Sequence, residues 1–145
     1  MHAFDLTDLN LYQAMCAVID QLDFSDLVDK MSDEKYFLPY WDKAEAWICC
    51  QKYKNYLKLQ CKVKCFNQKF ADYPPLVPSE EVDEFWHNHI LDTKKYFKDC
   101  EAFFGQYLHH DPSFGRSNDP AAKKKLIDAF DKTQELYLEE FGEYM

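Results

Sequence analysis

Four of the five histidines, His87, His89, His109 and His110, fall in one stretch from Pro78 to Gly115, with acidic residues at helical spacing around them. Imidazoles and carboxylates together ligate zinc, iron, manganese or nickel, or pair as a general base and the carboxylate that orients it. Spacing decides which of these residues can cooperate. Pro78-Ser79-Glu80-Glu81 predicts a helix start near Glu80, because Ser79 can accept from an unpaired backbone N–H and the carboxylates meet the positive end of the helix dipole. On that helix, residues two apart point about 200° from one another, so one ion cannot take both His87 and His89. Asp83 and His87, four apart, share a face. Val82, Phe85, Trp86, His89 and Ile90 form the apolar stripe, which makes His89 a hydrogen-bonded core group.

Asp92-Thr93 reads as the cap of a second helix, with Tyr96, Phe97, Cys100, Phe103, Phe104 and Tyr107 as its buried stripe and Gly105 near its exit. Pro112 stops simple continuation, so His109-His110 lies at a helix-to-loop junction. A tight hairpin of these two helices carries the paired histidines back toward Asp83 and His87. The candidate metal ligands are therefore Asp83, His87, His109 and His110, a set able to supply two histidines and one carboxylate to zinc or iron. The expectation is that His87 and at least one of His109 and His110 come within reach of a shared ion. One alternative is a metal-free enzyme in which Asp83 orients His87 as a general base, although the spacing places no Ser or Cys nucleophile beside it. Another is a non-enzymatic protein-interaction module, since 12 Phe, 10 Tyr and 3 Trp are enough to line a partner groove as well as a core.

The run VDEFWHNHILDTKKYFKDCEAFFGQYLHHDPSFG resembles the signature of the glycine-rich-domain-containing-protein-like family. In that pattern a Trp-His-x-His helix is followed by a Tyr, a Cys, a Phe-Gly and, in many bacterial members, a His-His-x-Pro-x-Phe-Gly turn. The last elements are matched here by His109, His110, Pro112, Phe114 and Gly115. YKNYLKLQ upstream and FDKTQELYLEEFG downstream are similar to weaker parts of the pattern, which extends the resemblance over roughly residues 40 to 142. The chain departs from the family's name in having only 3 glycines and no glycine-rich segment. The resemblance implies a grouping and a shared motif, and no particular reaction.

The elements that must position these residues read as helices throughout. Leu6, Leu9, Tyr12, Met15, Cys16, Ile19 and Leu22 predict a first helix over about 8–23, and Ser25-Asp26 caps a short second one from Leu27 to Met31. Irregular chain is expected at Ser32-Asp33 and Leu38-Pro39. A long central helix follows from Trp41 to Phe66, its periodicity reaching toward Phe70. Cys61 and Cys65 on it could share an ion, but a zinc site needs two further ligands that no other cysteine spacing supplies. The proline-rich ADYPPLVP stretch is an extended joint into the histidine helix. Asn118-Asp119-Pro120 opens a last helix with Leu126, Ile127, Phe130, Thr133, Tyr137 and Phe141 buried. No strand pattern occurs, so the expected fold is all-α, one domain over residues 1–145 with five or six helices.

The net charge of −9 argues against nucleic-acid or anionic-membrane partners, whose binding draws on clustered Lys and Arg. Lys123-Lys124-Lys125 reads as a solvated helix face. The acidic N-terminus lacks a signal-peptide pattern and no long apolar run occurs, which predicts a cytoplasmic protein whose six cysteines are thiols.

Overall fold

The computed structural model describes residues 6–35, 41–112, 114 and 118–145. Among them are six helices and no strand: α1 (Leu6–Gln21), α2 (Ser25–Met31), α3 (Lys43–Cys65), α4 (Glu80–Leu91), α5 (Thr93–Phe104) and α6 (Pro120–Phe141). The expected irregular chain at Leu38-Pro39 and the motif residue Gly115 lie outside the described residues.

The long helix α3 is the hub, packing against α1, α2, α4 and α6. Its start is fixed by a reciprocal cap: the Glu45 N–H donates to Asp42 Oδ1 at 2.8 Å, and the Asp42 N–H donates to Glu45 Oε2 at 3.2 Å. No Gly or Pro interrupts the helix, and Lys62 and Lys64 in its last turn suit the negative end of the dipole. It ends at Cys65, short of the predicted reach toward Phe70. The chain turns there, and Phe70 is buried against Leu59, Leu136 and Tyr137 in a small second core. Ala46, Cys49, Cys50, Tyr53, Tyr56, Leu57 and Cys61 face the main core shared with α1, α2, α4 and α5.

All six cysteines are unpaired thiols. Cys61 Sγ donates to the Phe103 carbonyl at 3.8 Å, and Cys65 Sγ lies 3.4 Å from Met15 Sδ, so neither is turned toward a common ligand position. Burial pushes the Cys49 thiol up to about 12 and Cys50 up to about 11, which keeps both protonated and unreactive at neutral pH.

Several local readings shift in register. Ser25 does not cap α2; instead Asp23 Oδ1 accepts from the Ser25 N–H at 2.9 Å and from its hydroxyl at 2.6 Å. Asp92 occupies the cap position of α5 but makes no side-chain capping bond, because it is also the last residue of the α4 turn, with φ −82° and ψ 75°. Phe97 and Tyr107 are exposed rather than on the buried stripe of α5, and Asp99 is buried in their stead. On α6 the buried side is Ala129, Thr133, Leu136 and Tyr137, leaving Ile127 exposed. Gly105 terminates α5 in the left-handed region, φ 81°, its N–H bonded to the Cys100 carbonyl at 3.1 Å.

The proline-rich joint is held from both sides. The Tyr56 hydroxyl donates to the Leu76 carbonyl at 3.1 Å, and Thr133 Oγ1 accepts from the Val77 N–H at 2.9 Å. These two bonds tie the joint to α3 and α6, and so set the position from which α4 begins. Among the described residues no helix is long and apolar enough to cross a membrane.

Candidate metal centre

The first turns of α4 supply two of the side chains. Ser79 Oγ accepts from the Val82 N–H at 3.3 Å, and the Asp83 N–H continues the turn to the Ser79 carbonyl at 2.8 Å. Asp83 is thus held near the positive end of the helix, where a carboxylate is favoured. His87 stands one turn on, its Nε2 3.6 Å from Asp83 Oδ2. That distance is too long for a hydrogen bond, so the pair is adjacent without being locked.

The third side chain arrives from the chain after α5. Trp86 donates its indole N–H to the Tyr96 hydroxyl at 3.0 Å, and that hydroxyl donates to the Leu108 carbonyl. This relay ties α4 to α5 and fixes the backbone two residues before His110. The His110 ring then rests on Trp86, centroids 4.2 Å apart, and lies 4.7 Å from the His87 ring. Its Nε2 is 2.6 Å from Asp83 Oδ1, a short hydrogen bond of the charge-assisted kind.

Asp83, His87 and His110 accordingly offer one ligand atom each within 4.8 Å of one another. Ligand bonds of about 2.0–2.2 Å in a tetrahedral set place neighbouring donor atoms about 3.3–3.6 Å apart. The spacing between His87 and Asp83 already matches; His110 sits closer, in the hydrogen bond that an ion would replace. The side chains are 33% exposed for Asp83, 34% for His87 and 12% for His110, so the group is reachable from solvent yet backed by protein. His109 is not part of it. That side chain is exposed, with its ring 4.9 Å from Tyr107.

Asp83, His109 and His110 border a cleft of about 760 Å³ that runs between the proline-rich joint and the chain around Pro112. A larger cleft of about 1080 Å³ lies near Met15, Cys65 and Phe104, and contains none of the three clustered residues.

His89, facing the other way on α4, is wholly buried. Its Nδ1 is 2.7 Å from the Tyr53 hydroxyl and its Nε2 2.8 Å from Asp99 Oδ2, with Lys95 Nζ 3.0 Å from the same carboxylate oxygen. Since a carboxylate only accepts, Nε2 carries the proton and Nδ1 accepts from Tyr53. Burial pushes the imidazole below its ordinary 6.5, overcoming the opposing pull of Asp99. Burial also acts to raise Asp99, but its bonds from His89 and Lys95, with the Lys95 charge, hold it below 3.8. Tyr53 and Asp99 were not visible as partners of His89 in the sequence; the available signal was the Lys95/Asp99 pair at helical spacing.

A group whose folded pKa is depressed contributes stability that is present above its unfolded value and lost as pH falls through the folded one. His89 therefore contributes fully above about pH 6.5, and its contribution declines as pH drops below that, with Asp99 adding loss in the same direction below about 3.8. The melting temperature is expected to be lower at pH 5 than at pH 7.5, and His89→Phe should flatten that difference. An equal slope in the variant would assign the acid sensitivity to other groups.

Residues 15–133 match the model of the UCP032817-like family. A segment of 66 residues is 36% identical to Glycine-rich domain-containing protein 1 of Arabidopsis thaliana, covering 46% of this chain and 8% of that protein. The chain thus spans a small part of that relative's length. No solved structure matches the chain.

Proposed function

The chain belongs to the UCP032817-like family, and for this member we propose that Asp83, His87 and His110 bind one divalent transition-metal ion, zinc or ferrous iron. The observation that carries the reading is the convergence of a carboxylate and two imidazoles from separate segments, with ligand atoms within 4.8 Å and a partly exposed side. Two histidines and one carboxylate suit zinc and non-haem iron alike, and the absence of a thiolate from the set disfavours soft ions. Three protein ligands leave coordination positions open, which in zinc and iron sites is where water or substrate is held. Trp86 supports the set from behind as the shelf under His110, and the Trp86–Tyr96–Leu108 relay holds the loop at the right height.

Cobalt(II) titration tests the reading, because the ion reports its own coordination. One equivalent should give visible absorption of a four- or five-coordinate nitrogen and oxygen site, and added azide should change the spectrum by occupying an open position. A spectrum that stays that of the hydrated ion, or is lost equally in Cys61→Ser, would contradict it.

The 2.6 Å bond between His110 and Asp83 favours a second reading without metal, in which Asp83 orients His110 as a general base. That reading places the base on His110, where sequence spacing put it on His87. It predicts that removal of all metal leaves function unchanged.

A further inference from the structure

The ring under His110 is also an electron donor, and it has an outlet. Indole is the most easily oxidised of the aromatic side chains, and the buried Trp86 ring lies 4.2 Å from the His110 ring between centroids. Two phenols adjoin it: its N–H donates to the Tyr96 hydroxyl at 3.0 Å, and the Tyr56 ring is 5.3 Å away. From Tyr96 the row of rings continues to Tyr107, with centroids 5.2 Å apart, and Tyr107 is 38% exposed. Electron tunnelling falls off steeply with distance, so rings in contact make a faster way out of the site than the backbone between them.

Protons decide which ring ends up short of an electron. An indole gives up an electron with its N–H in place, whereas an oxidised phenol must shed its proton, and a backbone carbonyl accepts a hydrogen bond without being a base. Tyr56 and Tyr96 are wholly buried and donate to the Leu76 and Leu108 carbonyls, so neither has an acceptor for that proton. Burial holds both phenols above their ordinary 10, in keeping with this. Tyr107 meets solvent and can release its proton to water.

We propose that Trp86 donates an electron to an oxidant held at Asp83, His87 and His110, and that Tyr107 refills Trp86 through Tyr96, so that oxidising equivalents leave the site for the surface. This rests on the metal reading, with ferrous iron as the ion. The oxidant is hydrogen peroxide, small enough for the coordination positions that three protein ligands leave open. Its O–O bond breaks as it takes up two electrons and two protons and leaves as two waters. One electron comes from the ferrous ion, which becomes ferric, and the other from Trp86. Tyr107 then returns an electron to Trp86, loses its phenolic proton to water and is left as a neutral phenoxyl radical.

A single equivalent of hydrogen peroxide added to anaerobic, ferrous-loaded protein tests it, read by freeze-quench electron paramagnetic resonance and by mass-spectrometric mapping of nitroso spin-trap adducts. A tyrosyl radical is expected, with adduct on Tyr107 and little on Tyr144, which is 60% exposed and so reports oxidant that has escaped into solution. Tyr107→Phe should abolish the tyrosyl signal, leave iron binding unchanged and shift oxidative damage to Trp86. Adduct on Tyr144 equal to that on Tyr107, or damage at Trp86 that Tyr107→Phe does not raise, overturns the proposal. Should iron not bind, the metal reading falls by itself, and laser photoionisation of metal-free Trp41→Phe/Trp47→Phe protein, in which Trp86 is the sole indole, decides whether the path exists. A Trp86 radical that lives longer once Tyr107→Phe is added sustains it; an unchanged lifetime sinks it.

Discussion

Replacing His89 by alanine is expected to destabilise the fold by about 3–5 kcal/mol, the cost of leaving a buried charge and a buried hydroxyl without their partner. The imidazole is wholly buried, bonds both Tyr53 and Asp99, and packs edge-on against Phe24 at 4.7 Å and Tyr96 at 4.8 Å. Its removal opens a cavity at the meeting point of α2, α3, α4 and α5 and leaves Asp99 with Lys95 alone. For a chain of this length the loss corresponds to a fall in melting temperature of about 10 °C or more. His89→Phe separates the causes, since it restores volume but neither hydrogen bond. Urea denaturation checks the magnitude, and a loss below about 1 kcal/mol would mean that the Tyr53–His89–Asp99 chain does not bind the helices together.

Replacing His110 by alanine is expected to do the opposite: leave stability nearly intact and weaken zinc binding at least about 100-fold, the upper range for losing even an outer-shell support of a metal ligand. His110 is supplied by a loop and packs tilted against Trp86 at the edge of the core, so its loss bares part of the indole without emptying the interior. His109→Ala is the matched control, one residue away and exposed against Tyr107, and is expected to bind zinc within about threefold of the native chain. Calorimetry of the two variants side by side reads the difference. Equal losses would move the ligand to His109; equal retention would remove this loop from the site.

The contrast between His89 and the surface group shows what was legible in the sequence. That His87 and His89 point to different sides follows from helix geometry once Ser79 and Glu80 mark where α4 begins, and the structure has one half-exposed beside Asp83 and the other buried. The helical class and the capped starts of α4 and α6 were equally plain, because periodicity and capping are local properties. Which of two adjacent histidines turns toward α4 was not. That choice depends on the Tyr96 hydroxyl holding the Leu108 carbonyl and on Trp86 offering a surface at the right height, contacts between segments that no spacing reveals. Asp99 escaped for the same reason: it is polar by composition, and its burial is decided by His89 and Lys95 meeting it. On α6 the reading of Thr133 and Tyr137 as buried holds, with Leu126, Phe130 and Phe141 half-buried; Ile127 alone faces out, because the helix rests on the second core around Phe70 and Leu59, which sets a rotation that local spacing does not disclose.

Metal analysis of the untagged protein, purified without chelators, decides whether Asp83, His87 and His110 hold one metal ion as proposed. About one equivalent of zinc or iron per chain is expected in the native protein and little in Asp83→Ala, with both proteins equally folded by circular dichroism. Substoichiometric metal in the native chain that zinc or ferrous iron added in excess cannot raise to one equivalent, or the same metal content in Asp83→Ala, would contradict it.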